Sequence, residues 1–449
     1  EITTRLVGSE MCIRDRSMKA SKYNIYVKKK HGVICFNTFH DIYSFMSAEL
    51  YELIQAEEYD KISDRQKKYL FKSGFLIEQD DELALLKNEH SKAVGINGTY
   101  ELTLLPSLDC NLRCWYCFEK HIKNSHLNVI TQNLILNYVD SILCRDDIKF
   151  LNLELFGGEP LLYFKKELYP LLKQIKCKAE EHNKGVHFFF VTNATCIHSE
   201  HLSLFEDLHA SFQISIDGYK EKHNSIKRYF NTSEGTYDKV IEVIHQLANN
   251  YDTYINLRIN YDNDTLNHIE EVIKDIIDID RRKIGIHMER VWQTSPEKEV
   301  SYKIKDVLNL FMVNGFAVSY MNLARRSYSC KSGKVDQAII SYNGDVYKCS
   351  GRDFTNELRE GVLQDNGCIK WDNLKLEKRL SQTTYDNEYC ISCKLLPLCW
   401  GPCNQKLLET PGNILRYCQL RNMELSLDEY VEYRFNNELL KMNMYESTP

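Results

Sequence analysis

Between Tyr100 and about Arg290 the chain repeats one pattern. Short apolar runs at 101–105, 150–156, 186–191, 211–216, 254–259 and 283–288 read as strands. Between the first two, Ile130, Leu134, Tyr138 and Ile142 recur at helical spacing, and the segments 165–181, 199–207, 236–248 and 265–278 are also helix-like. Strand–helix units repeated at this spacing predict a parallel sheet covered by helices. Six of them fit an α/β fold, a partial (β/α)6 TIM-type barrel spanning 100–295, whose chemistry sits at the C-terminal ends of the strands.

Before this repeat, residues 18–90 predict a small winged-helix-like unit. Tyr23–Val27 and Val33–Phe36 form a hairpin about Lys30-His31-Gly32. Ser47 is placed to cap a helix carrying Leu50, Leu53 and Ile54, and a second helix runs from Ser63 to Lys72 with Gly74 past its end. Phe75-Leu76-Ile77 reads as a strand, and the polar stretch Asn88–Gly98 as a linker. Beyond the barrel, 296–324 reads as a charged bridge, 325–420 as a cysteine-rich domain and 421–449 as a helical tail. At the other end, Val7 to Arg16 (VGSEMCIRDR) resembles a translated sequencing-adapter fragment, so 1–17 is expected to be non-native and Met18 the native start.

Composition narrows the function classes. The 449 residues are 43% hydrophobic and 27% charged, with a net charge of −6, so no basic field points to nucleic acid. No run of about 18 apolar residues suggests a membrane span. Sixteen cysteines is the unusual number. Ten fall into two metal-like groups, which points to a reducing, cytoplasmic setting rather than disulfides. The other six, Cys12, Cys35, Cys144, Cys177, Cys196 and Cys368, are scattered and read as free thiols.

The first group is Cys110, Cys114 and Cys117, spaced C-x3-C-x2-C directly after the first barrel strand. Three thiolates on one loop suit three corners of a cubane iron–sulfur cluster and leave one iron open to a ligand. Zinc is the alternative, although a closed structural zinc site wants four ligands. The second group is Cys330, Cys349, Cys390-x2-Cys393-x5-Cys399-x3-Cys403 and Cys418, with Gly344 ahead of Cys349. Its Cys390-x2-Cys393 step alone also reads as a zinc ribbon, but seven cysteines are awkward for zinc.

Together these motifs resemble the radical S-adenosylmethionine (SAM) superfamily with a C-terminal SPASM domain. That resemblance implies a [4Fe–4S] cluster on Cys110, Cys114 and Cys117 whose open iron chelates SAM, with Tyr116 near the adenine. Gly157-Gly158-Glu159-Pro160, at the end of the second strand, would hold the SAM amino group, with Glu159 as its partner. Asn193, in Thr192-Asn193-Ala194-Thr195 where relatives carry glycine third, Ser215 and Arg228 complete the implied SAM contacts, and Arg258 and Asn260 are candidates for the ribose. Two auxiliary [4Fe–4S] clusters are implied: one on Cys390, Cys393, Cys399 and Cys418, the other on Cys330, Cys349 and Cys403, with an open iron or a non-cysteine ligand.

The implied reaction is reductive cleavage of SAM to a 5′-deoxyadenosyl radical that abstracts hydrogen from a ribosomally made precursor peptide, giving a thioether or C–C crosslink. Flavodoxin or ferredoxin would donate the electron. The 18–90 unit resembles a leader-recognition element, which binds an extended peptide along a sheet edge. An anaerobic sulfatase-maturing enzyme is the alternative, disfavoured by Ser350 where that group carries an aspartate base. A non-catalytic, zinc-structured peptide-binding protein is the alternative of another class. No residue is assigned as catalytic base.

Overall fold

The computed structural model describes residues 18–78, 81–294, 301–321, 323 and 330–446. The adapter-like segment and Cys12 lie outside them, as does part of the expected bridge.

The N-terminal unit opens with β1 (Lys19–Ala20) and a three-stranded antiparallel sheet of β2 (Asn24–Lys29), β3 (Gly32–Asn37) and β4 (Ile42–Met46). Helix α1 (Ala48–Gln55) starts where Ser47 accepts the Leu50 N–H, and α2 (Asp64–Lys72) starts with a reciprocal capping box between Ser63 and Gln66. Strand β5 (Leu76–Ile77) returns antiparallel to β1. The third sheet strand, β4, has little apolar alternation and was not legible. The stretch expected as a linker is instead largely helix: α3 (Glu82–Val94) starts where Asp81 accepts the Leu83 and Ala84 N–H groups. Its Leu86 is buried with Tyr23, Phe39, Leu396 and Trp400, so the helix is a packed wedge between the N-terminal unit and the cysteine-rich region.

The barrel follows the expected order. Strands β6 (Thr99–Leu105), β7 (Phe150–Leu155), β8 (Gly185–Thr192), β9 (Ser211–Ile216), β10 (Ile255–Tyr261) and β11 (Ile284–Arg290) lie side by side in sequence order, all parallel. Helices α4 (Val129–Leu143), α5 (Tyr169–Glu181), α6 (Ser199–Asp207), α7 (Lys220–Ile226), α8 (Tyr237–Asn250), α9 (Asn263–Asn267), α10 (Ile269–Ile276) and α11 (Ser301–Val313) complete the units. One face of each strand is buried under helices: Leu151, Leu153 and Leu155 of β7, and Phe212, Ile214 and Ile216 of β9, join one core. The other face carries Asn152, Glu154, His187, Gln213, Ser215, Arg258, His287 and Glu289, all half-buried. A parallel sheet packed on both faces reads as continuous apolar sequence. This alternation therefore marks an open barrel with a polar concave side.

Two edges extend the sheet beyond the six expected strands. Strand β12 (Val318–Tyr320) adds beside β11. On the far side β13 (Gln337–Ser341) runs parallel to β6 and continues antiparallel into β14 (Asp345–Tyr347), β15 (Gly361–Leu363) and β16 (Ile369–Trp371). The cysteine-rich region is thus hydrogen-bonded to the first barrel strand. The C-terminal helix Leu427–Glu446 packs against β2 and β3. Its Arg434 donates to Asp41 Oδ1 at 3.0 Å and to the Leu323 carbonyl at 2.6 Å while lying over the Phe36 ring, which fastens the N-terminal sheet to the body. Among the described residues no helix is long and apolar enough to cross a membrane.

Candidate active site

The loop after β6 is held by its own backbone and by its neighbour. Asp109 accepts the Cys110 N–H at 2.8 Å and the Asn124 N–H at 2.9 Å, while its carbonyl receives the Glu159 N–H at 2.8 Å. That last contact needs glycine beside it. Gly158 has φ +45°, and a Cβ there would sit 2.1 Å from the Asp109 carbonyl oxygen. The loop therefore turns Cys110, Cys114 and Cys117 into one cavity of about 250 Å³ at the C-terminal ends of the strands. Gly157, Gly158, Asn193, Ser215 and Tyr116 line it too, as expected.

The donor set fits an iron–sulfur cluster. Burial raises the Cys110 thiol well above its usual range, and raises Cys114 to about 12. Without a cation these buried thiols stay neutral; thiolates there require the positive charge of a metal centre. Asn193 turns its Nδ2 toward Cys110 Sγ at 3.8 Å, and its Oδ1 is fixed by the Thr195 N–H. Ala194, where relatives carry glycine, sits at φ +64° and is fully buried. The left-handed backbone there explains the glycine and costs an alanine about 1 kcal/mol.

Three of the expected contacts, Glu159, Pro160 and Arg228, do not line the cavity. Glu159 does not face the cavity: it is 0% exposed. Its carboxylate accepts Thr192 Oγ1 at 2.6 Å, the Asn193 N–H at 2.9 Å and the Leu161 N–H at 3.1 Å. It braces two strand ends and leaves the glycine backbone at the surface of the cleft; Pro160 is buried behind it. Arg228 is exposed and sits in a bridge with Gly235. Its neighbour Lys227, only 3% exposed, lines the cleft instead, together with Arg258 and Arg290. The signal was one residue off, because the extended backbone after α7 sends adjacent side chains to opposite sides.

Lys227 Nζ donates to the Ser215 carbonyl and hydroxyl at 2.7 Å each and lies 3.5 Å from Asp217 Oδ2. Asp217 Oδ1 in turn accepts from Tyr116 Oη at 2.6 Å and Asn260 Nδ2 at 3.1 Å. Arg258 donates to Asn260 at 2.9 Å. Lys227→Met leaves a buried carboxylate without its cation and is expected to cost about 3 kcal/mol, read as a lower melting temperature. Adding Asp217→Asn should recover much of it. A double variant as unstable as the single one would rule out the charge pair.

Sequence reasoning also missed Gln213, Arg290, Trp292 and Gln293, which line the cavity too. Arg290 is clamped by Glu424 at 2.6 and 2.5 Å, a partner 134 residues away that no local pattern reveals. Trp292 is 73% exposed at the mouth, where Trp115 and Phe118 are also exposed. Glu119 accepts the Gly158 N–H at 2.5 Å, and burial raises its carboxyl to about 7.

The second cysteine array separates into two groups in space. Cys390, Cys393, Cys399 and Cys418 line one small cavity of about 50 Å³ walled by Leu395, Leu396 and Leu415. Cys349 feels the Cys403 and Cys330 thiols, which add to burial in raising it to about 11. Ser332 Oγ is 3.0 Å from Cys330 Sγ.

An open parallel half-barrel with three thiols at its C-terminal mouth is an arrangement that fits an enzyme with an iron–sulfur cofactor on the loop after the first strand. The sequence model of the radical SAM superfamily, whose cofactors are SAM and a [4Fe–4S] cluster, matches residues 104–276, from β6 into α10. It is 22% identical to the radical SAM cyclopropyl synthase TigE of Paramaledivibacter caminithermalis, over 90% of this chain and 93% of TigE. It is 26% identical to a cysteine-type anaerobic sulfatase-maturating enzyme of Clostridium perfringens, over 73% of this chain and 94% of that enzyme. In fold it is similar to native anSMEcpe with bound AdoMet, with a TM-score of 0.54 at 18% identity, over 77% of this chain and 98% of the other.

Proposed function

We propose that the protein is a peptide-modifying radical SAM enzyme that forms a thioether or C–C bond in a ribosomally made precursor peptide. The observation that carries this reading is the concave barrel face. It is polar and open, and it leads from an exposed aromatic rim to the cysteine loop, which is the shape an extended chain needs to reach a buried radical source. The resemblance to TigE, a cyclopropyl synthase, over nearly the whole chain supports C–C bond formation.

Cys110, Cys114 and Cys117 would hold the cluster, and with SAM bound it supplies a 5′-deoxyadenosyl radical after one-electron reduction. The chain's own part is positioning. The Gly157-Gly158 backbone offers carbonyl groups at close approach, Lys227 offers a cation to a carboxylate, and Tyr116 is fixed by Asp217 and Asn260. Trp292 stands exposed at the mouth, and Gln293 ties it to the cysteine loop by donating to the Tyr116 carbonyl. The two outer groups, Cys390/Cys393/Cys399/Cys418 and Cys330/Cys349/Cys403, would hold auxiliary [4Fe–4S] clusters. The second has three thiols, so an iron is left for a substrate thiolate or a non-cysteine ligand. The N-terminal unit would take the leader segment along β4, an edge of its three-stranded sheet. A reducing cytoplasm with flavodoxin or ferredoxin as electron donor suits this chemistry.

The test is anaerobic turnover of the cluster-reconstituted enzyme with SAM, a reductant and the small peptides encoded beside its gene. One peptide should lose a hydrogen pair in step with 5′-deoxyadenosine formation. Deoxyadenosine without any change in those peptides would count against the reading. Conversion of a sulfatase-motif cysteine to formylglycine would instead favour the sulfatase-maturing reading, which the Clostridium relatives support.

A further inference from the structure

At the opposite end of the barrel from the cleft, the C-terminal ends of α4 and α5 bring three kinds of ligand together. Cys144 caps α4 one turn beyond Asp140, so the two side chains share a helix face. His182 caps the neighbouring α5. Its Nε2 lies 3.2 Å from Asp140 Oδ1 and 3.9 Å from Cys144 Sγ, and the three ligand atoms are all within 4.8 Å of one another.

These distances match a coordination shell. Zinc bonds of about 2.0 Å to N or O and about 2.3 Å to S place tetrahedral ligand atoms about 3.3 Å (N···O) and about 3.6 Å (N···S) apart. The donor types select the metal. Imidazole with thiolate suits zinc-class cations, whereas calcium and magnesium take oxygen ligands. Both helices also point their negative dipole ends at the spot. One group competes: Lys178 Nζ donates to Asp140 Oδ1 at 2.9 Å. Both partners are partly exposed, and such pairs contribute about 0–1 kcal/mol, so a divalent ion bound by three ligands displaces it.

We propose that Asp140, Cys144 and His182 form a surface site for a zinc-class divalent cation, with water in the fourth position. The ion staples the base of α4 to α5. On binding, the Cys144 thiol gives its proton to solvent and its sulfur bonds the metal, with no change of oxidation state. The site is separate from the iron–sulfur ligands and does not depend on the reaction proposed above.

The test uses the full chain with its clusters reconstituted, zinc chloride as the probe, and a short iodoacetamide pulse mapped by mass spectrometry. Zinc should slow alkylation of Cys144 by about tenfold, because a metal-bound thiolate is shielded, and a chelator should restore it. Cys177 and Cys368, both exposed, serve as internal controls and should not respond. His182→Gln and Asp140→Asn should each remove most of the protection while leaving the melting temperature in chelator unchanged. The proposal is overturned if Cys144 reacts equally fast with and without zinc, or if protection survives undiminished in both variants.

Discussion

Cys114→Ala is expected to abolish 5′-deoxyadenosine formation, a loss of about a thousandfold or more, since the cofactor's chemistry goes with its cluster. The three thiols share one cavity, and among the described residues no further cysteine lines it. A replacement ligand would have to come from Cys196, which lies behind Asn111 and already receives its Nδ2 at 3.6 Å. None of the outer cysteines lines this cavity, so iron content should fall by one cluster's share while the rest persists. Chromatography with mass detection reads the product, and colorimetric iron reads the cluster. Deoxyadenosine at more than about a tenth of the wild-type rate would place the radical source elsewhere.

Glu159→Ala should be strongly destabilising although it removes no cysteine of the loop. Its carboxylate accepts three donors inside the protein, two of them backbone N–H groups. Each buried donor left without a partner costs about 1–3 kcal/mol, so a loss of about 4–5 kcal/mol follows, seen as a fall of many degrees in apparent melting temperature without SAM present. Glu159→Gln keeps the shape but points an amide N–H at other N–H groups, and should recover only part of it. A direct bond to the SAM ammonium makes the opposite forecast: normal stability in the absence of SAM and weakened SAM binding. The two are separated by one melt and one binding titration.

The contrast between these residues shows where sequence reading works. The C-x3-C-x2-C loop was legible because its ligands are neighbours and their spacing is itself the geometry. The cap at Ser47 was legible for the same reason, since its side chain meets an N–H three residues on. Glu159 sits in an equally recognisable motif, yet its side chain turns away from the cavity into the strand ends. A motif fixes which residues are near the site, while burial fixes which atoms face it. Lys227 and Arg228 make the point at a separation of one residue.

Sequence by itself determined the order of the six central barrel strands with their helices, and it set ten cysteines apart in two spaced groups. Both rest on local periodicity or spacing. Only the tertiary structure decided that β13 joins β6, that α3 is a packed wedge and that Arg290 is clamped by Glu424. Those depend on pairings between residues tens to hundreds apart, set by which apolar faces bury each other, and no short window of sequence carries that information.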